Sequence, residues 1–305
     1  MHQNRGGPQQ THVMATETLA RVRTAFDSLG ALLLTAPTRL AGSWDNVGVI
    51  AESPVEHDRR GIFLAIDLTP AVADELLGRD DIAVAVVYHP VIFAATRSLT
   101  LARPLQKSVL RCIAAGISIY CPHTCLDVID GGINDWLIGG LALPWENGRP
   151  TAEALAAAHA GAGSTAIELV SEPRTPREGA GRFLHVDCTW AAMIQRVKAH
   201  LGVSHVQVAP ARGVSPDSRV RSVAVCAGSG GSVLGGTQAD VWVTGELGHH
   251  EVLAATAAGI SVILTNHTNT ERGYLRAVLP TQLAKLLPGH PIAVSQADAD
   301  PLTTA

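Results

Sequence analysis

Two hydrophobic rhythms run along the chain. From Thr16 onward, Leu19, Val22, Ala25, Phe26 and Leu29 recur three or four positions apart and share one face of a helix, expected near residues 16–30. Pro37, which has no amide hydrogen to donate, ends any continuation. Beyond it the apolar positions gather in short runs, unbroken except for Ser118 in the third. Ile62–Ile66, Ile82–Val87 and Ile117–Tyr120 are strand-sized, and a run without polar alternation suits a strand covered on both faces by helices. Helical stretches lie between them. LTPAVADELLG, residues 68–78, has Thr69 as a cap and Pro70 at the first helical position, and Leu105–Ala115 is closed by Gly116. Polar turns separate these elements at GSWDNVGV, residues 42–49, and GGINDWL, residues 131–137.

The pattern then loosens. Residues 144–182 are rich in Ala, Gly and Pro and are read as a peripheral connection, although AIELV within them is strand-like. Trp190–Leu201 reads as a helix and Val206–Val208 as a strand. From Val220 the regular order resumes as SVAVCAGSGGSVL, ADVWVTGE, HHEVLAATAAGI and SVILTNHTNTE, which are strand with glycine-rich turn, strand, helix and strand. The expected fold class is therefore α/β, with a leader over 1–15, a first half over 16–145, the connection over 146–215 and a second segment over 216–305.

An internal echo joins the two halves. AAGISIYCPHT, residues 114–124, and AAGISVILTNHT, residues 257–268, repeat a helix end, a glycine stop and a strand leading to a histidine. A carboxylate stands four positions after each histidine, Asp127 after His123 and Glu271 after His267. Two similar α/β half-domains facing each other would bring both strand ends to one central cleft. Open α/β sheets bind ligands at the carboxyl ends of their strands. The polar residues gathered at those ends are Asp67, Tyr88, His89, His123, Asp127, Glu246, His249, His250, His267 and Glu271. Imidazole with carboxylate suits Zn, Mn or Fe, and two divalent ions can share a bridging carboxylate and activate water. Each of these residues also has a structural role open to it, as a cap, a turn or a solvated side chain. The glycine-rich AGSGGS, residues 227–232, lacks the Lys and Ser/Thr of a nucleotide loop and is read foremost as a structural turn.

Composition narrows the class. Hydrophobic residues make up 47% and charged residues 16%, the profile of a folded globular chain whose sparsely charged surface leaves room for an oligomer interface. The formal charge is -4, without a basic block to track a phosphate backbone, so nucleic acid is not the expected partner. No apolar run reaches the ~20 residues of a membrane span. The five cysteines, at 112, 121, 125, 188 and 226, form no paired metal motif and are expected to be reduced thiols. The expected location is the cytoplasm, with the mitochondrion as the alternative.

SWDNVGV, IFLAIDLTP, VVYHPVIF, PHTCLDVIDGGINDWL, VAVCAGSGGS, DVWVTGE and NHTNTERGYL follow, in order, the motifs of the Nif-three-like metal-binding family, often labelled GTP cyclohydrolase I type 2 homologues. The resemblance runs from about residue 17 to residue 290. It implies a pair of α/β domains around a cleft with two divalent metals, assembled as a ring-shaped homohexamer. It also implies His89, Asp127, His267 and Glu271 as metal ligands, with Glu271 bridging and His123 close by. Tyr88 stands where the family commonly has a first histidine, which bears on whether one ion or two is held. Glu246 and His250 are the residues expected to transfer protons. The implied activity is metal-dependent hydrolysis, GTP cyclohydrolase type 2-like by the family label, with the substrate left open and a small phosphate-bearing molecule as one candidate, the alternative being a non-enzymatic metal-binding protein with a protein partner.

Overall fold

The computed structural model of the chain describes residues 14–28, 37–142, 145–146, 149–150, 163–169, 173 and 175–303. The leader expected over residues 1–15 lies, through residue 13, outside the described residues, as does Leu29. The fold is mixed α/β with two main sheets, and the chain divides into two compact units. The first comprises residues 1–123 and 279–298, the second residues 124–278 and 299–305.

In the first unit the helix α1 (Met14–Ser28) precedes β1 (Gly48–Ala51), β2 (Gly61–Ala65), α2 (Pro70–Leu77), β3 (Ile82–Val87), α3 (Pro104–Ala114) and β4 (Ser118–Cys121). The unit's sheet runs β1-β4-β3-β2-β13, with the late strand β13 (Ile292–Val294) added in parallel to β2. β2, β3 and β4 are mutually parallel, and β1 closes the far edge antiparallel to β4. Every residue of β2, β3 and β4 is buried, which accounts for the unbroken apolar runs of β2 and β3. On one face Phe63, Ala85 and Val87 pack with Val72 and Leu76 of α2 and Val109 and Cys112 of α3. α1 also packs on this sheet, where Phe26 stacks on Tyr120 at 4.9 Å between ring centroids. Each such fully buried Val, Leu, Ile or Phe contributes roughly 1.5–3 kcal/mol.

The cap read at Thr69 is present, its hydroxyl accepting from the Val72 amide at 3.3 Å, with Pro70 opening α2. Glu75 of that helix accepts from the Ser295 hydroxyl at 2.6 Å and from the Gln296 and Ala297 amides, so one carboxylate ties the end of β13 to α2. The antiparallel strand β1 overlaps the end of the polar turn read over residues 42–49, and its apolar run, Val49–Ala51, is three residues long with Val49 exposed, too short and too open to stand out as a strand.

The second unit begins with the short helices α4 (Thr124–Val128) and α5 (Ile133–Gly139). They are followed by a two-stranded ribbon of β5 (Trp145–Glu146) and β6 (Arg149–Pro150). Next come β7 (Thr165–Leu169), β8 (Gly179–Thr189), α6 (Trp190–Leu201), β9 (Gln207–Ala209), β10 (Arg219–Ser229), α7 (Gly231–Leu234), β11 (Val241–Glu246), α8 (His249–Ala257) and β12 (Ser261–Leu264). A 3-10 turn at His267–Thr270 and α9 (Arg272–Ala277) end the unit's main run, and α10 (Leu279–Leu286) leads into β13 of the first unit. The sheet order is β7-β8-β10-β11-β12-β9, with β10, β11 and β12 parallel and the outer pairs antiparallel.

Two boundaries differ from those drawn on sequence. The stretch read as a peripheral connection supplies β7, β8 and β9, three strands of the six-stranded sheet. Its strand β8 escaped notice because GAGRFLHVDCT mixes glycine and charge, Arg182 being held inside by an ion pair rather than by apolar character. The first half, drawn to residue 145, ends by contact at His123, since α4 packs on β8 and α5 on β8 and β10.

The internal echo is visible within each unit. Both β4 and β12 follow a helix and a left-handed glycine, Gly116 and Gly259, each at φ 86°. Both strands pair in parallel with the strand before them.

Candidate functional site

In the first unit three parallel strands deliver their polar residues in register. Asp67, His89 and His123 each lie two positions beyond the last residue of β2, β3 and β4, at the carboxyl edge of the sheet. His89 Nδ1 donates to Asp67 Oδ1 at 3.0 Å, and His123 Nδ1 donates to Asp45 Oδ1 at 2.6 Å. The Asp45 side chain is fully buried, and the same oxygen also accepts from the Asn46 amide at 2.7 Å. The two imidazoles lie 5.6 Å apart between centroids.

The Tyr88 ring, 1% exposed, packs 5.0 Å from His89 and 5.6 Å from His123. Its backbone carbonyl accepts from Cys121 Sγ at 3.0 Å. Tyr88 therefore sits within the histidine cluster as a packed aromatic body.

In the second unit β11 ends on Glu246, and the chain leaving β12 turns sharply at Asn266. His267 opens the 3-10 turn and Glu271, 2% exposed, closes it. This answers the choice left by the four-residue spacing, because the turn holds His267 Nε2 at 3.3 Å from Glu271 Oε1. His267 Nδ1 donates to Glu246 Oε1 at 2.8 Å. Among the described residues the only positive φ values outside glycine are His123 at 33° and Asn266 at 68°. Backbone strain is thus concentrated at the two echoing strand ends, as at sites held in place by their surroundings.

The glycine-rich turn has a steric role. A Cβ on Gly228 would lie 2.8 Å from Glu271 Oε1 and 2.9 Å from His267 Nε2, so the absent side chain makes room beside both polar atoms. Gly230 and Gly231 are similarly crowded, by Thr244 and by Glu251. The Gly228 amide donates to Thr270 Oγ1 at 2.8 Å, and Thr270 Oγ1 donates to the His267 carbonyl at 2.6 Å, which locks the glycine turn to the histidine turn. From the chain's end, Asp300 accepts from the Thr268 hydroxyl at 2.8 Å and from Asn266 Nδ2 at 3.4 Å.

Asp127 lies on α4 and is partly buried. Its carbonyl accepts from Asn134 Nδ2 at 3.1 Å, while Asn134 Oδ1 accepts from the Ala227 amide at 2.9 Å. The next residue, Asp135, is wholly buried and paired with Arg182 at 2.7 and 2.9 Å, with Arg177 bonded to the same carboxylate. This buried ion pair anchors α5 and, through Asn134, both Asp127 and the glycine turn. Sequence reading missed Asp45, Asn134, Asp135 and Arg182, and the W-D-N and I-N-D triplets were the available signals. His249 and His250 start α8, exposed, with rings 5.4 Å apart.

Among the described residues, His267 and Glu271 can each offer a metal ion a donor atom within the second unit, and His89 can do so within the first. Their chemistry fits a divalent ion. Each imidazole gives its Nδ1 hydrogen to a carboxylate, which puts the lone pair on Nε2, and imidazole with carboxylate suits Zn, Mn or Fe. The space kept by Gly228 beside the Glu271 and His267 polar atoms is consistent with a ligand there.

The family model described as Duf34/NIF3 (NGG1p interacting factor 3) matches residues 26–301. The chain is 41% identical over 273 residues to a NIF3 homolog protein of Schizosaccharomyces pombe, covering 87% of this chain and 92% of the other. It is 37% identical over 277 residues to NGG1-interacting factor 3 of Saccharomyces cerevisiae, covering 86% and 90%. Among solved structures it resembles a hypothetical protein of Staphylococcus aureus, with TM-score 0.72 and 21% identity over 94% of this chain and 99% of that one. It also resembles reduced HcgD from Methanocaldococcus jannaschii, with TM-score 0.66 and 20% identity over 92% and 97%. Both structural likenesses concern the fold. Among the described residues no helix is long and apolar enough to cross a membrane.

Proposed function

Because the chain belongs to the Duf34/NIF3 family, we propose that it is a divalent-metal protein acting as a metal-dependent hydrolase. The observation that carries this reading is the repeated pairing of imidazole Nδ1 with a carboxylate, at His89 with Asp67, His123 with Asp45 and His267 with Glu246. Such partners orient metal-ligating histidines, fix their tautomer and raise their basicity. In this reading His89, His267 and Glu271 hold one ion. Asp127 and Glu271, with His123 or Tyr88 as the further ligand, serve a second. When bound, a divalent ion supplies Lewis acidity toward a carbonyl or phosphoryl oxygen and acidifies water.

The chain's own residues then have separate tasks. Glu246, which receives the His267 hydrogen, orients that ligand and remains, with His250, a proposed proton-transfer group. His250, exposed at the start of α8, carries protons to and from solvent as a proposed acid-base group. A small phosphate-bearing substrate, Zn, Mn or Fe as the ion, assembly as a homohexamer and a cytoplasmic or mitochondrial setting belong to the same proposal, and the low charged fraction of 16% supports the assembly.

A second reading has its own support. The budding-yeast relative is named as an interacting factor, and Leu101 and Leu105 here are 66% and 62% exposed, so a metal-stabilised protein that binds another protein is the non-enzymatic alternative. The test loads the chain and its His89→Ala variant with Zn or Mn and screens GTP and p-nitrophenyl phosphate. Metal-dependent product formation that His89→Ala abolishes supports the hydrolase. Tight metal binding without product on either substrate favours the interaction protein.

A further inference from the structure

Two large aromatic side chains stand in the open beside the first-unit histidines. Trp44 is 63% exposed and Phe93 55% exposed, in a chain that buries most of its large apolar groups. Their rings meet each other at 6.2 Å between centroids and meet His123 at 6.4 and 6.2 Å. Exposure alone would mean little, since isolated surface aromatics are common. These two, however, are held in place.

Trp44 lies in a turn closed by the Asp45 amide donating to the Gly42 carbonyl at 2.9 Å. Gly42 approaches the indole so closely that a Cβ there would stand 2.5 Å from Nε1, so the glycine packs directly on the ring. The neighbouring Asp45 holds His123, and Asn46 donates to the Ile92 carbonyl at 2.5 Å, tying the segment that carries Phe93 to the same turn. The three consecutive residues Trp44, Asp45 and Asn46 thus arrange the indole, the imidazole and the phenyl ring as one construction. An exposed apolar surface that is fixed in advance loses little conformational entropy when something covers it.

We propose that Trp44 and Phe93 form the stacking platform for a planar heteroaromatic ring of a small ligand, presented to the edge of His123. The indole and phenyl planes cross at 66°, so a flat ring lying on one is met edge-on by the other, both being favoured aromatic geometries. Beside Phe93 opens a depression of about 440 Å³, lined by Asn46, Ile92, Phe93 and Arg97 among others, large enough for the remainder of a small molecule. A flat ring explains why two aromatic faces, rather than aliphatic ones, are kept rigid next to an imidazole. The inference rests on the metal-site reading only for the use made of the ring at His123, and ring binding is measured separately from metal.

The experiment uses the full chain, with adenosine and uridine as probes and ribose as the control, followed by saturation-transfer NMR. Metal content is measured on the same samples. The expected result is saturable transfer to the base protons of the nucleosides and none to ribose. Trp44→Ala and Phe93→Ala should each weaken nucleoside binding about tenfold, Trp44→Tyr should stay within about threefold of the parent, and metal content should be unchanged. Absence of saturable transfer, or binding unaltered in Trp44→Ala, overturns the proposal. So does a change of oligomeric state in Trp44→Ala or Phe93→Ala without a change in nucleoside binding, which would make the platform a contact between copies of the chain. A chain without metal that still loses nucleoside binding in Trp44→Ala supports the platform and removes the metal reading alone.

Discussion

Gly228→Ala is the substitution most informative about the turn that carries His267 and Glu271. Two effects combine at this position. Gly228 has φ 63°, where an L side chain costs about 1–2 kcal/mol. Its new Cβ would also lie 2.8 Å from Glu271 Oε1 and 2.9 Å from His267 Nε2, against 3.4 Å for ordinary contact. Restoring that contact requires the oxygen to retreat by 0.6 Å (3.4 less 2.8) and the nitrogen by 0.5 Å (3.4 less 2.9). Ligand constellations hold their geometry within roughly 0.5 Å, so metal affinity should fall about 10- to 100-fold. Gly259→Ala separates the two effects, because Gly259 has φ 86° but nothing within 4 Å of its would-be Cβ. Urea unfolding should show both variants destabilised by about 1–2 kcal/mol. Competition with a chelator for Zn should show only Gly228→Ala impaired. If Gly228→Ala binds Zn within twofold of Gly259→Ala, the glycine is not making room for the metal ligands and the reasoning fails.

Three further outcomes follow from other parts of the fold. Asp135→Ala should cost about 3–5 kcal/mol in urea unfolding, because it leaves the wholly buried Arg182 charge uncompensated, and a loss under 1 kcal/mol would contradict the anchoring role given to this pair. For Glu75, burial acts to raise the pKa, yet the hydrogen bonds from Ser295, Gln296 and Ala297 and the nearby Arg79 charge outweigh it and leave the carboxyl lowered. Its stabilising effect is therefore present above its unfolded value of about 4.3 and is lost as pH falls through the lower folded value, so the stability gap between parent and Glu75→Gln should close on acidification, and a gap independent of pH from 7 to 3 would refute it. Burial pushes the Cys112 thiol up to about 11, so iodoacetamide at pH 8 should leave it unmodified until the chain is unfolded, as read by peptide mass spectrometry.

How far the sequence reveals this arrangement differs from part to part. The buried parallel strands announce themselves, since β3 is apolar at all six positions and covered on both faces. The helices with clear stops, α2 and α6, are legible for the same reason. β8 is not, because its interior position is held by Arg182 and its ion pair, and periodicity has no reading for a buried charge. Glu271 is found from its spacing of four after His267, and His89, His123 and His267 follow the apolar runs of strands and draw attention there. Their supporting carboxylates do not: Asp45 meets His123 from 78 positions away, and a partner that distant leaves no local pattern. The glycine-rich turn was legible as a turn, but its closeness to Glu271 and His267 depends on the pairing of β10 with β11, which only the folded chain supplies.

The central proposal is that His89, His267 and Glu271 are ligands of a divalent ion. The direct measurement is an anomalous-difference map from crystals of the chain grown with Zn. The account predicts a strong peak bonded to both imidazole Nε2 atoms and to the Glu271 carboxylate, absent from crystals of Glu271→Ala grown in the same way. A map with no peak at these residues, or with the peak retained in Glu271→Ala, contradicts it.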